Sequence, residues 1–118
     1  MSSVCVFCAI TAGVEPAEIV MSSPEVLIFR PLGPQVPGHV LVIPRYHVSD
    51  AAADPHITGM VATAAAKYAA HVGPCNIITS VGAEATQSVF HLHVHVLPRG
   101  AGDGLRPSWP WVRAKAES

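Results

Sequence analysis

The stretch Ser88-Val89-Phe90-His91-Leu92-His93-Val94-His95-Val96-Leu97-Pro98-Arg99 decides how the rest of the chain is read. Its three histidines alternate with apolar residues. Side chains along an extended strand point alternately to opposite faces. The spacing therefore predicts a strand, entered from Gln87, with His91, His93 and His95 on one face and Leu92, Val94 and Val96 on the other. Pro98 cannot donate to a sheet ladder and closes the run. Imidazoles on a strand with an apolar back are costly to bury unless each ring nitrogen has a partner. The row points to a site rather than to filler.

Three readings of that row compete. Satisfied core or surface histidines would explain one such residue, but not three on one face with His39 and His47 upstream. H-x-H on a strand can present two imidazoles to one metal ion. An imidazole can also attack phosphorus while its neighbours position the reacting group. Neutral imidazole is competent near neutral pH because its unperturbed pKa lies close by. The third reading accounts best for the surrounding sequence. Asp50, Asp54 and Glu84 show no pairing that would indicate carboxylate catalysis.

Cys5 and Cys8 form a C-x-x-C pair with no second pair elsewhere. Two readings stand at this point: ordinary thiols at the start of a small helix, or half of a zinc site completed by two distant histidines. Cys75, in an apolar neighbourhood, reads as a packed core thiol. Three cysteines, an odd number, argue against a disulfide framework.

Composition bounds the remaining choices. A chain of 118 residues, half of them hydrophobic and 13% charged, makes one domain spanning 1–118, with a core of about 4–99 and a tail of 100–118. A formal net charge of −1 leaves no electrostatic footprint for nucleic acid or an acidic membrane. No apolar run approaches the roughly 20 residues of a membrane span. Met1-Ser2-Ser3-Val4 lacks the regions of a signal peptide, so a cytoplasmic protein is expected.

Along the chain, Val4 to about Ala12 reads as a short helix ended by Gly13. Ile19–Met21 is a short strand. Val26–Phe29 and His39–Ile43 do not alternate and read as strands buried on both faces. The stiff Pro31–Gly38 loop separates them. His56–His71 places Ile57, Met60, Val61, Ala64, Tyr68 and Val72 at helical spacing, with Asp54-Pro55 as cap and Gly73-Pro74 as stop. Cys75–Thr79 is a further strand, and a glycine-rich loop follows Arg99. Short turns between strands favour antiparallel pairing.

His91-Leu92-His93-Val94-His95-Val96-Leu97 resembles the His-φ-His-φ-His-φ-φ signature of the histidine triad family, φ being apolar. Pro37-Gly38-His39-Val40-Leu41-Val42-Ile43-Pro44-Arg45-Tyr46-His47 is similar to a second stretch of that family, and Cys5-Val6-Phe7-Cys8 to the N-terminal pair of many members. The resemblance runs in the right order from Cys5 to Arg99. It implies an α+β fold, with a five-stranded antiparallel sheet, a long central helix and a short N-terminal helix, assembled as a homodimer. It also implies hydrolysis or transfer at the α-phosphorus of a nucleotide through a nucleotidyl-histidine intermediate.

Carried over by position, His93 is the nucleophile, His95 supports the reacting phosphate and His39 completes the polar network. Gln87 and Ser88 match residues that contact phosphate or leaving group with backbone and side chain, donors of the kind that lower a barrier by meeting developing charge. His91 and His47 match the histidines that join the cysteines around zinc. Cys5, Cys8, His47 and His91 would then give closed, structural Cys₂His₂ coordination. No metal is needed for the chemistry.

The chain departs from the family pattern at three positions. Pro31 stands where many members carry an Asp or Asn that holds the ribose hydroxyls, Ser80 where an Asn is common, and Thr86 where a Gly precedes the Gln. Phe29, Ile28 and Leu32 are the candidates for an apolar base pocket, with core packing the competing account of Ile28 and Phe29. Trp109 and Trp111 are candidates to close over the site or to pack a dimer. Arg99 is a candidate to neutralise phosphate, against the simpler account of a solvated arginine at a strand end. The substrate classes in order are nucleoside phosphoramidates or related nucleoside monophosphate conjugates, then dinucleoside polyphosphates. A nucleotide-binding module with little turnover is the reading from a different class.

Overall fold

The computed structural model describes residues 5–105 and Pro110. Helix α1 spans Val6–Thr11, followed by strands β1 (Glu18–Ser22), β2 (Val26–Arg30) and β3 (Val40–Pro44). Helix α2 (Pro55–Val72) leads to β4 (Cys75–Ile78), a 3₁₀ turn at Ala83–Ala85 and β5 (Val94–Pro98). The strands form one antiparallel sheet in the order β1-β2-β3-β5-β4. This is the α+β architecture expected from the sequence. No helix among the described residues is long and apolar enough to cross a membrane.

The sheet is covered on both faces, which is why β2 and β3 read as unbroken apolar runs. Val26, Ile28, Val40, Val42, Val94 and Val96 pack with Leu92 against Val61 and Ala65 of α2. Leu27, Phe29, Leu41 and Ile43 point the other way and pack around Phe7 of α1. Val40, Val42, Val61, Leu92 and Val96 are fully excluded from solvent, and each such side chain stabilises the fold by about 1.5–3 kcal/mol.

Both helices carry the ends the sequence predicts. Asp54 Oδ1 accepts the His56 and Ile57 backbone N–H groups at 3.1 and 3.2 Å, Pro55 opens the first turn, and Gly73 at φ 95 ends α2. The six residues of α1 are too few to stand alone. Arg45 ties them down: it donates to Ser23 O at 2.6 Å, to Ser22 Oγ at 2.5 Å and to Thr11 O at 3.5 Å, joining the end of α1 to the β1–β2 turn.

One expectation needs correction. The histidine strand begins only at Val94, so His91 and His93 precede it and His95 alone lies on β5. The ladder with β3 stops at Val42↔Val94. Two residues further along β3, Pro44 has no N–H to offer, and its carbonyl is taken by the His91 ring at 3.0 Å. The segment is held instead by the Leu92 N–H on Val48 O at 2.7 Å and by the Thr79 hydroxyl on His93 O at 2.8 Å. The apolar alternation nevertheless keeps Leu92, Val94 and Val96 together on the α2 side.

Candidate active site and metal centre

On the α1 side of the sheet lies a cleft of about 270 Å³ lined by Phe7, Leu41 and Val89, by Ser88 and Thr86, and by His39, His93 and His95. Pro31, Gly33, Gln35 and Pro110 complete its wall. A larger apolar groove of about 480 Å³ lies on the other face, between α2 and the β1–β2 end of the sheet, and contains none of the signature histidines.

The hydrogen bonds set the tautomer of each ring. The Gln35 backbone N–H donates to His39 Nδ1 at 3.0 Å, so that nitrogen is an acceptor. Burial pushes the His39 pKa down to about 4, so the ring is neutral and carries its proton on Nε2. That N–H donates to His95 Nδ1 at 3.0 Å. His95 is held neutral as well, at about 3, by burial first and then by the nearby His93 and His39. Its proton therefore sits on Nε2, as a donor.

His93 is set the opposite way. Its Nδ1–H donates to the His91 carbonyl at 2.8 Å. Burial lowers its pKa against the opposing pull of that bond. A neutral ring with a protonated Nδ1 presents a lone pair at Nε2. The His93 and His95 rings meet edge-on with centroids 5.1 Å apart. Phe7 packs its ring at 84° and 5.2 Å against His93, fixing the imidazole plane from the α1 side.

The depressed histidines make stability depend on pH. Between the unfolded value of about 6.5 and the lower folded values, the unfolded chain takes up protons that the folded chain refuses, so stability falls with falling pH. The unfolding midpoint of metal-free protein should rise from pH 4.5 to pH 7 and level off above, as followed by circular dichroism melts. A flat profile over that interval would contradict the neutral-ring assignments.

His91 faces a second cluster. With its Nε2–H on Pro44 O, its Nδ1 is a lone pair, directed at Cys5 Sγ (3.3 Å), Cys8 Sγ (3.5 Å) and His47 Nδ1 (3.3 Å). Cys8 Sγ lies 3.3 Å from His47 Nδ1, and all four ligand atoms fall within 4.8 Å of one another. Zn–S of about 2.3 Å and Zn–N of about 2.0–2.1 Å, at tetrahedral angles, require S···N and N···N edges of about 3.3–3.6 Å. The four short edges match. Burial, with Cys5 beside it, pushes the Cys8 thiol up to about 11, and a bound cation is what would draw it into thiolate form. Two cysteine sulfurs and two imidazole nitrogens suit zinc and would leave no coordination position open.

The HIT domain family model matches residues 12–102. The chain belongs to the HIT domain family. Among curated relatives, Protein hit of Bacillus subtilis (strain 168) is 36% identical over 114 residues, covering 89% of this chain and 78% of that protein. A Zn-bound histidine triad family protein from Mycobacterium smegmatis is 35% identical with a TM-score of 0.80, covering 86% of this chain and 79% of that one. A HIT family hydrolase from Clostridium thermocellum is 31% identical with a TM-score of 0.77, covering 92% of this chain and all of that one. The cysteine pair lies just before the matched residues, so the corner joins an N-terminal segment to two positions inside the HIT domain.

The HIT domain sorts the remaining candidates. Ser88 lines the cleft beside His93 and His95. Gln87 does not: its side chain is buried, accepting from Gly82 N–H at 2.8 Å and donating to Ser49 O at 2.7 Å and Val89 O at 3.0 Å. It holds the loop that carries Ser88. Ile28 packs under α2, on the face away from the cleft, because strand alternation sends it opposite to Phe29. Phe29 backs the wall from behind Phe7, centroids 5.5 Å apart. Leu32 is 103% exposed at the tip of its loop, Ser80 is half-buried, and neither lines the cleft. Arg99 is held by Asp103 at 2.7 and 3.0 Å, Asn76 Oδ1 of β4 at 2.7 Å and Leu105 O at 3.1 Å, and it is not among the residues that line the cleft. Trp109 and Trp111 lie outside the described residues.

Sequence reasoning missed Phe7 as a lining residue and the Gln35 N–H that sets the His39 tautomer. Phe7 had a signal, since an apolar residue inside C-x-x-C must sit next to whatever the cysteines face. A backbone donor such as Gln35 N–H leaves no trace in residue type.

Proposed function

We propose that this chain is a nucleotide hydrolase acting at the α-phosphorus of nucleoside phosphoramidates or related nucleoside monophosphate conjugates. The observation that carries the reading is the opposed pair of tautomers: a lone pair at His93 Nε2 beside an N–H at His95 Nε2. His93 Nε2 attacks phosphorus, forming an N–P bond as the bond to the leaving group breaks. The leaving group departs with that electron pair and takes a proton from water at the cleft mouth. Positive charge developing on the His93 ring strengthens its Nδ1–H bond to the His91 carbonyl, and His95 donates to a phosphoryl oxygen. Water then attacks the same phosphorus and releases its proton to solvent as the N–P bond breaks, and His93 recovers its lone pair. Ser88, at the cleft wall, contributes a hydroxyl to the phosphate or leaving group.

Among the described lining residues there is no lysine, arginine, aspartate or glutamate, and the buried histidines are neutral. A cleft without formal cations suits one phosphate better than a polyphosphate chain. This favours the phosphoramidate class over dinucleoside polyphosphates. Pro31 lines the cleft and offers no side-chain partner for ribose hydroxyls, the observation behind the alternative of a nucleotide-binding module with little turnover. Zinc, held by Cys5, Cys8, His47 and His91, supplies a structural cross-link when bound. A homodimer is part of the same reading.

Nucleoside phosphoramidates and dinucleoside polyphosphates assayed side by side test it. The expected result is a kcat/KM at least about tenfold higher for phosphoramidates, a difference of about 1.4 kcal/mol in transition-state binding. A preference for polyphosphates would reverse the substrate order. Nucleotide binding without turnover of either class would leave the binding module. Strict dependence on both ribose hydroxyls would show that Pro31 has not relaxed ribose selection.

A further inference from the structure

Thr86 is the one non-glycine residue with positive φ among the described residues, at φ 77 and ψ 17. Its Cβ branch makes the left-handed region costly, and such conformations persist only where the surroundings over-determine them. They do so here. The Thr86 N–H donates to Ala83 O at 2.9 Å, the Gln87 N–H to Gly82 O at 3.0 Å, and the buried Gln87 amide clamps the loop on both sides. A glycine would satisfy every one of these backbone bonds without strain. What a glycine would lack is the side chain, and Thr86 is one of the residues that line the histidine cleft, two residues from Ser88.

We propose that Thr86 is a phosphate-binding residue, held in a strained backbone conformation that brings its hydroxyl to the cleft wall. The proposal rests on the hydrolase reading above and adds to it the partner of the phosphoryl oxygens. In a cleft without lysine or arginine among its described residues, phosphate charge must be met by neutral donors. The side-chain donors on that lining are the His95 Nε2–H, the Gln35 amide and the Ser88 and Thr86 hydroxyls. The Thr86 hydroxyl donates to the carbonyl of its chain neighbour Ala85, and a χ1 rotation releases that bond and turns the hydroxyl toward a ligand. Ser88, two residues on, would flank the same phosphate.

Three variants separate strain from contact: Thr86→Gly, Thr86→Ala and Thr86→Ser. Each is assayed for the unfolding midpoint, for binding of adenosine monophosphate, and for kcat and KM on an adenosine phosphoramidate. Thr86→Gly should raise the midpoint by a few degrees, yet weaken nucleotide binding and raise KM about three- to tenfold, the range of a lost neutral hydrogen bond. Thr86→Ala should show the same loss of binding without the full gain in stability. Thr86→Ser keeps the hydroxyl and should bind within about twofold of the parent, well inside the change expected for a lost bond. Binding unchanged in Thr86→Ala, or weakened equally in Thr86→Ser, would overturn the contact. A midpoint that does not rise in Thr86→Gly would overturn the strain. Because nucleotide binding is read without turnover, failure of the hydrolase reading would show as an inactive parent, apart from the outcome of the binding series.

Discussion

His93→Ala should lower turnover of an adenosine phosphoramidate on the order of 10⁵-fold, the scale seen when a covalent nucleophile is removed. Nucleotide binding should persist, because His39, His95, Ser88 and the apolar wall formed by Phe7, Leu41 and Val89 remain in place. The substitution removes one donor from the His91 carbonyl and one ring from contact with Phe7, leaving a cavity that small molecules can enter. Added imidazole should therefore restore part of the activity. Turnover equal to that of the parent would reject His93 as the nucleophile. Loss of activity with unaltered binding and partial rescue by imidazole would separate a chemical role from a structural one.

Removal of zinc should have the second large effect. The four proposed ligands tie a six-residue helix to positions 39 and 86 residues away, and cross-links closing long loops withdraw the most entropy from the unfolded chain. A conservative loss of about 2–3 kcal/mol on chelation, well below what structural zinc delivers in small domains, corresponds to a midpoint lower by about ten degrees for a domain of this size. Cys8→Ser should reproduce the shift and abolish its dependence on chelator. Phe7 sits between the two cysteines and lines the cleft, so metal loss should raise KM for nucleotide more than it lowers kcat. Protein purified untagged and without chelator should hold about one zinc per chain; protein holding none would sink the site.

The sheet and its two faces were largely legible because burial leaves a periodic trace. Unbroken apolar runs at Val26–Phe29 and Val40–Ile43 announced strands covered on both sides, and the Asp54-Pro55 and Gly73-Pro74 boundaries framed α2 within one residue. The histidine run was read as one strand because alternation alone does not report where a ladder stops. The stop comes from a partner strand, through the missing N–H of Pro44 and the capture of its carbonyl by His91. The surroundings of several candidate side chains were hidden from the sequence for a similar reason. Gln87 and Arg99 carry polar groups suited to a ligand, yet Gln87 is bonded to its own loop and to Ser49 O, Arg99 to Asp103, Leu105 and Asn76 of β4, and Ile28 was sent to the far face by a single step of strand register.

From sequence alone came the antiparallel α+β framework, the family and the histidines and cysteines proposed here to carry the chemistry, because residue type, spacing and apolar periodicity are properties of the chain itself. Which nitrogen of each ring bears its proton was decided only by tertiary structure. Gln35 N–H, Pro44 O and His91 O are backbone groups whose positions depend on how distant segments pack, and they leave three similar imidazoles set differently, with a lone pair on His91 Nδ1 toward the cysteines, a lone pair on His93 Nε2 and the proton of His95 on Nε2. The strained Thr86 beside them is equally invisible in the chain, since a residue's φ is set by the hydrogen bonds of the turn around it.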